Sequence, residues 1–209
     1  VNTTTSGAQE NAVVDMSSSG AFVVAWSGNG TGDTGGIFYR RFDASGTPLD
    51  VNERLANATN NGVERAPSVA INASGQFAIA WEVGNDIYVR HFAATGVPTT
   101  VDLRVDNGLA KSYSASVGID SLGRTTVVYR SDGVLSIGTG IWGRQFNADG
   151  SDRKTWTSIA TGTGSIETSP SLAMDHAGNF IVTYENSGDG SGNAVFVKRF
   201  DADFNVVGI

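Results

Sequence analysis

One motif occurs four times along the sequence, and this repetition limits the possible folds more than any other feature. The second copy, GQFAIAWEVGNDIYVRHFAATG, spans residues 75–96. Each copy starts at a glycine and has an aromatic residue six positions later: Gly20, Gly75, Gly123 and Gly178, followed by Trp26, Trp81, Tyr129 and Tyr184. Both series advance by 55, 48 and 55 residues. A period near 50 is typical of propeller-type repeats.

Within each repeat, large and small side chains alternate, as in residues 77–81 with the sequence FAIAW. This period of two predicts a strand with one bulky face and one thin face. A turn containing Asn72 and Gly75 precedes the strand, and a turn ending at Gly96 follows the next one. Asn or Asp at the start of such turns supplies a side-chain hydrogen bond, and Gly at the end supplies a positive φ. We therefore predict four antiparallel strands per repeat.

These strands predict an all-β fold, namely a four-bladed β-propeller in which each blade is a four-stranded antiparallel meander. We expect a single domain, with repeats at approximately 8–57, 58–107, 108–161 and 162–209. The first residues, VNTTT, are typical of a fourth strand, and the last repeat stops partway through its own. Residues 1–7 would then complete the last blade and close the ring, which removes an exposed sheet edge. The alternatives are a piece of a longer array and two chains that share a larger ring.

The composition restricts the class of protein. With 27 Gly, 4 Pro and no Cys, the sequence favours sheets with many turns and excludes disulfides, thiol catalysis and cysteine-bound zinc. The formal net charge of −7 argues against nucleic acid as a partner, because binding its backbone needs an excess of Lys and Arg. No apolar stretch reaches the roughly 18 residues of a membrane span, so we expect no membrane insertion. Cations and neutral glycans are the favoured partners.

The repeat motif resembles the ~50-residue propeller-like repeats of large secreted bacterial proteins of the RTX- and cadherin-associated adhesin type. The resemblance lies in the pattern Asp/Asn-x-x-Gly-x-Phe-x-Val-x-Trp, followed by Gly-Ile-Tyr-x-Arg-x-Phe-Asp-x-x-Gly, and it covers essentially the whole chain. It implies an extracellular or cell-surface location, a propeller-like fold and an adhesive or binding role. The fourth repeat departs from the pattern, with Phe204 where the second turn expects Gly. We expect that turn to be reshaped or capped.

The loops between the second and third strands vary most among the repeats, and variable loops on a regular scaffold are where binding residues usually lie. Ligand candidates are Asn29, Asp33, Asp132, Asp189 and Asn193. Carboxylates in flexible loops suit Ca²⁺, which makes Asp33 and Asp189 weak candidates for a calcium site. Ordinary solvated turns are the competing interpretation. Trp142 breaks the repeat pattern and is a candidate for stacking on a sugar.

Two further sets of polar residues have alternative interpretations. Asp15 stands where the other repeats have Ala70, Gly118 and Ala173, so a carboxylate would face the central channel and hold a water or a cation. Basic side chains recur on the third strand, at Arg40, Arg90, Arg144 and Lys198. They would either converge on an anionic ligand or stack on aromatic neighbours and pair with turn carboxylates such as Asp43 and Asp201; we favour the stacking role.

No catalytic motif is present in the sequence, because His91 and His176 are isolated and neither has the spacing of a catalytic triad or a metal site. We therefore predict a non-enzymatic extracellular binding or adhesion module for glycans or cell surfaces, assisted by calcium. The alternative is a structural spacer or oligomerisation repeat of a larger secreted protein, followed by a glycosidase of sialidase type. The predicted assembly is a monomer, or a dimer sharing a larger ring.

Overall fold

A computed structural model describes residues 1–59, 62–133, 139–162, 165–188 and 192–208. Four antiparallel sheets follow one another along the chain. Sheet 1 contains β1 (Gln9–Met16), β2 (Phe22–Gly30), β3 (Asp33–Phe42) and β4 (Arg54–Leu55). Sheet 2 contains β5 (Glu64–Ile71), β6 (Phe77–Val83), β7 (Asp86–Phe92) and β8 (Leu103–Arg104). Sheet 3 contains β9 (Lys111–Ile119), β10 (Thr125–Asp132), β11 (Thr139–Phe146) and β12 (Asp152–Thr161). Sheet 4 contains β13 (Glu167–Met174), β14 (Phe180–Asn186) and β15 (Ala194–Phe200).

The first strand of each sheet lies beside the first strand of the next, so that β1 packs against β5, β5 against β9 and β9 against β13. Tight turns join each first strand to the second; in sheet 2 the Gly75 N–H donates to the Asn72 carbonyl at 3.0 Å, and Gly75 has φ +81°. The Asn72 side chain also accepts from the N–H of Ser74 and of Gln76, each at 3.1 Å. This is the turn chemistry expected from Asn and Gly at these positions. Within the described residues there is no helix long and apolar enough to cross a membrane.

Each first strand contains a bulge at the same place. The pairing register shifts between Glu10 and Val13, and equivalently in the other three sheets. One non-glycine residue in each bulge has a positive φ of about +50°: Asn11, Ala66, Ser114 and Ser169. Bulges of this kind bend a strand and redirect its side chains. The beginning of each first strand is therefore set at an angle to the rest of its sheet.

The sheets pack with the thin face of one against the bulky face of the next. In sheet 2 the thin face consists of Ala78, Ala80, Ile87 and Val89, all 0% exposed, and it contacts the bulky face of sheet 3, with Val127, Tyr129 and Phe146. The same arrangement holds between sheets 1 and 2 and between sheets 3 and 4. Trp81, Tyr129 and Tyr184 of the motif therefore lie in the interfaces between sheets and serve as core, and Trp26 is buried as well, at 3% exposure.

The basic residues of the third strands also join neighbouring sheets. Arg90 donates to the Ala56 carbonyl of sheet 1 at 2.8 Å, and Arg144 donates to the Arg104 carbonyl of sheet 2 at 2.7 Å. Their guanidinium groups stand over Phe92 and Phe146, with 5.9 and 4.9 Å to the ring centroids. The carboxylates that pair with them are Asp102, at 3.7 Å from Arg90, and Asp152, at 2.7 Å from Arg144.

The carboxylates that the sequence suggested as partners, Asp43 and Asp201, instead accept hydrogen bonds from their own turns, Asp43 from Thr47 N–H and Asp201 from Asn205 N–H, each at 2.9 Å. Stacking of the basic groups on aromatic rings is thus present, but with different carboxylate partners. Arginines held in this way do not converge on a common anion.

The second turn of sheet 4, expected to be reshaped or capped, keeps the backbone of the other second turns. Phe204 adopts the left-handed conformation of the missing glycine, with φ +68°, and its N–H donates to the Asp201 carbonyl at 3.1 Å. The ring is 5% exposed and contacts Phe180 and Phe200 at centroid distances of 5.0 and 5.1 Å. Burial of the ring between sheets 3 and 4 offsets the strain of a positive φ, which is of order 1–3 kcal/mol for a bulky residue.

The arrangement is confirmed as four successive antiparallel sheets, whereas no closure of the ring is found among the described residues. In the described part of the chain, sheet 4 consists of the three strands β13, β14 and β15, without a strand from the N-terminal residues. The described residues of β13 and β1 do not pack against each other as the other first strands do. The N-terminal residues lie on sheet 1 instead, where the Arg40 side chain donates to the Val1 carbonyl at 2.9 Å.

We predict that Phe77→Ala lowers the free energy of unfolding by about 3–5 kcal/mol, because the ring is fully buried between sheets 1 and 2 and stacks on Phe92 at 4.7 Å. The matched control is Phe22→Ala in sheet 1, where the same stack on Phe42 exists at 4.8 Å but the ring is only half-buried. We expect a smaller loss there, about 1–2 kcal/mol. Urea unfolding followed by tryptophan fluorescence measures both, and equal losses would contradict the packing described here.

Candidate functional site

A cleft opens between sheets 1 and 2 at the end of the sheets that carries the variable loops. We call it the seam cleft; its volume is about 490 Å³. Its walls come from the start of β1, the end of β2, the start of β3 and the start of β5, through Glu10, Asn29, Gly35, Glu64 and Arg65 among others. A second cavity of about 550 Å³ adjoins it across Val63, Glu64 and Arg65 and extends toward Asp86, Tyr88 and Asp102.

The carboxyl group of Glu64 lies between these two cavities. The residue is only 2% exposed, and its Oε2 atom is buried without a hydrogen-bond partner in the described part of the chain. Burial, together with the negative charges of Asp33 and Asp102, raises the pKa of Glu64 to about 7. Glu64 is therefore a carboxyl group that keeps its proton close to neutral pH.

Two other charged side chains define the chemistry of the seam cleft. Glu10 is exposed at the start of β1, one residue before the bulge. Arg65 is bound within sheet 2, because its Nε atom is 3.1 Å from a Glu82 oxygen and its guanidinium donates to the Gly84 carbonyl at 3.0 Å. Glu82 is in turn bound to sheet 3, where it accepts from Ser114 N–H at 2.6 Å. The seam cleft thus combines a protonated acid with an exposed carboxylate, and its arginine is paired with Glu82.

Two loop residues predicted from the sequence lie at or near this cleft. The Asn29 side chain donates to the Ser6 carbonyl at 3.0 Å, and the backbone carbonyl of Asn29 accepts from the Gln9 side chain at 2.7 Å. Asp33 accepts from Gly35 N–H and from the Asn57 side chain, each at 3.0 Å, one through each carboxylate oxygen. Both residues therefore hold the loop of sheet 1 in place beside the cleft.

The remaining candidates lie elsewhere. Asp132 pairs with Arg130 at 2.8 Å in sheet 3. Trp142 is half-buried against the core between sheets 2 and 3. Asn193 is exposed just before β15, and Asp189 lies outside the described residues. Among the residues that the structure describes, no group of three or more His, Cys, Asp or Glu side chains is placed to hold a metal ion. A calcium site in these loops stays a prediction.

Asp15 lines a cavity of about 380 Å³ whose walls include residues of the first strands of all four sheets. Its Oδ2 atom accepts from Ile71 N–H of sheet 2 at 2.8 Å. The corresponding contacts between later sheets use serines, with Val117 N–H donating to Ser68 at 3.2 Å and Leu172 N–H donating to Ser116 at 3.0 Å. Sheet 1 has Val13 in place of these serines, so Asp15 supplies the acceptor that joins sheets 1 and 2.

The histidine that lies on a strand is part of the sheet packing. His91 is 3% exposed, and its Nε2 atom is 2.8 Å from the Thr125 hydroxyl of sheet 3. Burial lowers the pKa of His91, which keeps the ring neutral. His91, which the sequence shows without catalytic partners, therefore lies in an interface between two sheets.

Sequence reasoning missed Glu64 and Glu10. An alignment of the four repeats places Gln9, Glu64, Ser112 and Glu167 at equivalent positions. It does not reveal which of the two carboxyl groups is buried without a basic residue beside it. That property depends on the loops that cover it. The nearest signal in the sequence is the presence of a charged residue immediately before the apolar part of the first strand.

Comparisons with known proteins identify the fold. No family model matches the sequence, and no curated protein matches it. Similar solved structures include an endo-arabinase from Bacteroides thetaiotaomicron (11% identity, 95% of this chain, 81% of that chain, TM-score 0.57). An α-L-arabinofuranosidase from Fusarium graminearum is also similar (12% identity, 95% and 65%, TM-score 0.61). A third is an ulvan lyase of a polysaccharide lyase family (11% identity, 95% and 54%, TM-score 0.60). These neighbours are of β-propeller type.

Three predictions are corrected by these neighbours. The resemblance to RTX- and cadherin-associated adhesin repeats is wrong, because the similar structures are named as enzymes that cleave glycans. The predicted non-enzymatic adhesion role and the predicted absence of enzyme activity are wrong for the same reason. The motif resembles the adhesin repeats because its turns and alternating strands specify a sheet architecture. Proteins with unrelated functions share this architecture.

We predict that the protein loses stability as the pH rises from about 4.5 to about 7. Glu64 releases its proton near its ordinary pKa in the unfolded chain but only at about 7 in the folded protein, so the unfolded state binds fewer protons in this interval. Glu64→Gln should remove this part of the pH dependence. Urea midpoints measured at pH 5 and pH 8 give the slope. Glu10→Gln, which removes an exposed carboxyl of the same cleft, should keep the slope of the wild type; an unchanged slope in Glu64→Gln would refute the assignment.

Proposed function

We propose that this chain is a glycan-processing domain that cleaves glycosidic bonds in the seam cleft. The observation that carries the proposal is the carboxyl group of Glu64, which is buried between two cavities, has its Oε2 atom without a partner in the described residues and has a pKa of about 7. A carboxylic acid that remains protonated at neutral pH is the group that glycoside hydrolysis needs to protonate the leaving oxygen. The names of the similar structures, an endo-arabinase and an arabinofuranosidase, support this reaction class.

In this proposal the two carboxyl groups have separate roles. Glu64 donates its proton to the glycosidic oxygen while the bond between this oxygen and the anomeric carbon breaks. Glu10, as an exposed carboxylate, takes a proton from the water whose oxygen forms the new bond to that carbon. The products are two sugars with free hydroxyl groups, and the proton returns from Glu10 to Glu64 through solvent. Environments that separate the protonation states of two acids are the usual basis for such a division of labour.

The charges around the cleft favour a neutral polysaccharide as substrate. Arg65, the basic residue that lines it, is paired with Glu82 and the Gly84 carbonyl, and thus offers little to an anionic sugar. Glu10, Asp33 and Asp102 place negative charge nearby, which repels uronic acids and sulfate groups. The ulvan lyase, by contrast, is described with a glucuronic acid ligand. The adjoining cavity would hold further sugar units of the same chain.

The fold and location that fit this function are also part of the proposal. The four sheets would form an arc of a propeller ring, with the seam cleft at its variable-loop end. An extracellular location fits a polysaccharide substrate, which is too large to enter a cell. Calcium bound near Asp33 would steady the loop beside the cleft, and activity with and without a chelator would test for it.

We expect the purified protein to release reducing sugar from arabinan, arabinoxylan or xylan but not from ulvan. Glu64→Gln and Glu10→Gln should each lower kcat/KM about 10²-fold or more, because each removes one proton-transfer step. The wild-type kcat/KM should fall as the pH rises above about 7, when Glu64 loses its proton. A reducing-sugar assay with a pH profile measures both.

The matched control is Glu185→Gln, which removes a half-buried carboxylate of sheet 4 outside the cleft. It should retain wild-type activity. If neither the wild-type protein nor Glu185→Gln cleaves any of the neutral polysaccharides, or if Glu64→Gln is as active as the wild type, the proposal fails.

A further inference from the structure

The thin face of sheet 4 is exposed, although the same face of every other sheet is buried. Val195 and Val197 of β15 are 78% and 40% exposed. The residues at the equivalent positions of sheet 2, Ile87 and Val89, are both 0% exposed because sheet 3 covers them. Ile181 of β14 is 42% exposed for the same reason. A face whose counterparts form the core of the molecule thus lies open to solvent.

The complementary face is partly open at the other end of the row of sheets. Val14, on the bulky face of sheet 1, is 64% exposed, whereas the equivalent Val69 and Val117 are 9% and 5% exposed. Phe22 and Val24, on the same face, are half-buried, whereas their counterparts Phe77 and Ile79 are fully buried. The two open faces are therefore the two halves of one further interface of the kind found three times within the chain.

The two open faces also carry the separate donor and acceptor of a polar contact that the other interfaces form. In each interface a side chain from the third strand bonds to a turn carbonyl of the next sheet. Arg41 donates to the Ala94 carbonyl, and Gln145 donates to the Ala202 carbonyl at 3.3 Å. In sheet 4 the corresponding residue is Arg199, which is exposed. In sheet 1 the corresponding carbonyl belongs to Ala44, which accepts no side-chain hydrogen bond from the described residues.

The N-terminal residues do not occupy the place where another sheet would pack on the bulky face of sheet 1. Arg90 and Arg144 donate to carbonyls where one sheet leads into the next, at Ala56 and Arg104. Arg40 makes the same contact with the Val1 carbonyl. Residues 1–5 therefore follow the path that a connection from a preceding sheet takes, without covering the bulky face of β1.

We propose that two copies of this chain associate head to tail, with the thin face of sheet 4 in one copy covering the bulky face of sheet 1 in the other. Two such seams form at once and join eight sheets into one ring, a number within the range of propellers. The occupant is a second copy because the two faces match each other but do not meet within one chain, as the exposure of Val14 and Val195 shows. Each seam repeats the contacts already made between sheets 1 and 2, sheets 2 and 3, and sheets 3 and 4.

Sedimentation equilibrium of the wild-type protein should give twice the monomer mass of 21.7 kDa. Val197→Glu should convert the protein to a monomer, because it places a charge in a face that the second copy buries. The single copy should fold as before, since the side chain is partly exposed there. The control is Leu122→Glu, at a turn of sheet 3 where Leu122 is 65% exposed, and it should remain a dimer. A monomeric wild-type protein would overturn the proposal.

Cross-linking tests the geometry, and the absence of native Cys makes it specific. Tyr39, the counterpart of Val197, contacts Phe77 and Phe92 of the next sheet at centroid distances of 5.2 and 5.1 Å. Val197 should therefore face Phe22 of the second copy. A mixture of Val197→Cys and Phe22→Cys chains should form a disulfide-linked dimer on oxidation, whereas Val197→Cys mixed with Leu122→Cys should not. A disulfide formed within one chain of the Val197→Cys, Phe22→Cys double variant would show that the ring closes on itself and would refute the proposal.

Discussion

Packing of a thin face on a bulky face is the interaction on which the rest of this structure depends. Each sheet presents small residues such as Ala78 and Ala80 on one side and large ones such as Phe77 and Trp81 on the other. A sheet with two bulky faces would hold its neighbours apart, and a sheet with two thin faces would leave voids, which a close-packed interior does not tolerate. The alternation along one strand therefore fixes the order and the direction in which the sheets stack.

This alternation is also why so much of the fold could be predicted from the sequence. The turns at Asn72 and Gly75 and the strand at residues 77–81 are local features, and each needs only its own residues to form. Ring closure could not be predicted in the same way, because it depends on whether Val195 meets Val14 across the molecule. Phe204 shows a limit of local rules. The turn pattern predicted a reshaped or capped turn, but burial of the ring between two sheets outweighs the local preference for glycine.

The candidate site was harder to predict because its chemistry arises from burial and not from residue type. The sequence predicts loop carboxylates such as Asp33 as ligand-binding residues, yet both oxygens of Asp33 accept hydrogen bonds that shape the loop. The sequence gives no such prediction for Glu64, although one of its oxygens has no hydrogen-bond partner in the described residues. A sequence reports that a carboxyl exists, whereas the dielectric around it and the charges beside it are properties of the folded chain.

The bulge in each first strand has a consequence for how such a protein changes over time. Asn11, Ala66, Ser114 and Ser169 give all four sheets the same bend next to the position of Glu64. A new acid at this position of sheet 2, 3 or 4 would therefore lie on a backbone that already directs it between two neighbouring sheets. Glu167 of sheet 4 illustrates this, since it is 1% exposed and its Oε2 atom also lacks a partner in the described residues. Duplication of one sheet thus supplies several equivalent places where reactivity can be gained or lost by a single substitution.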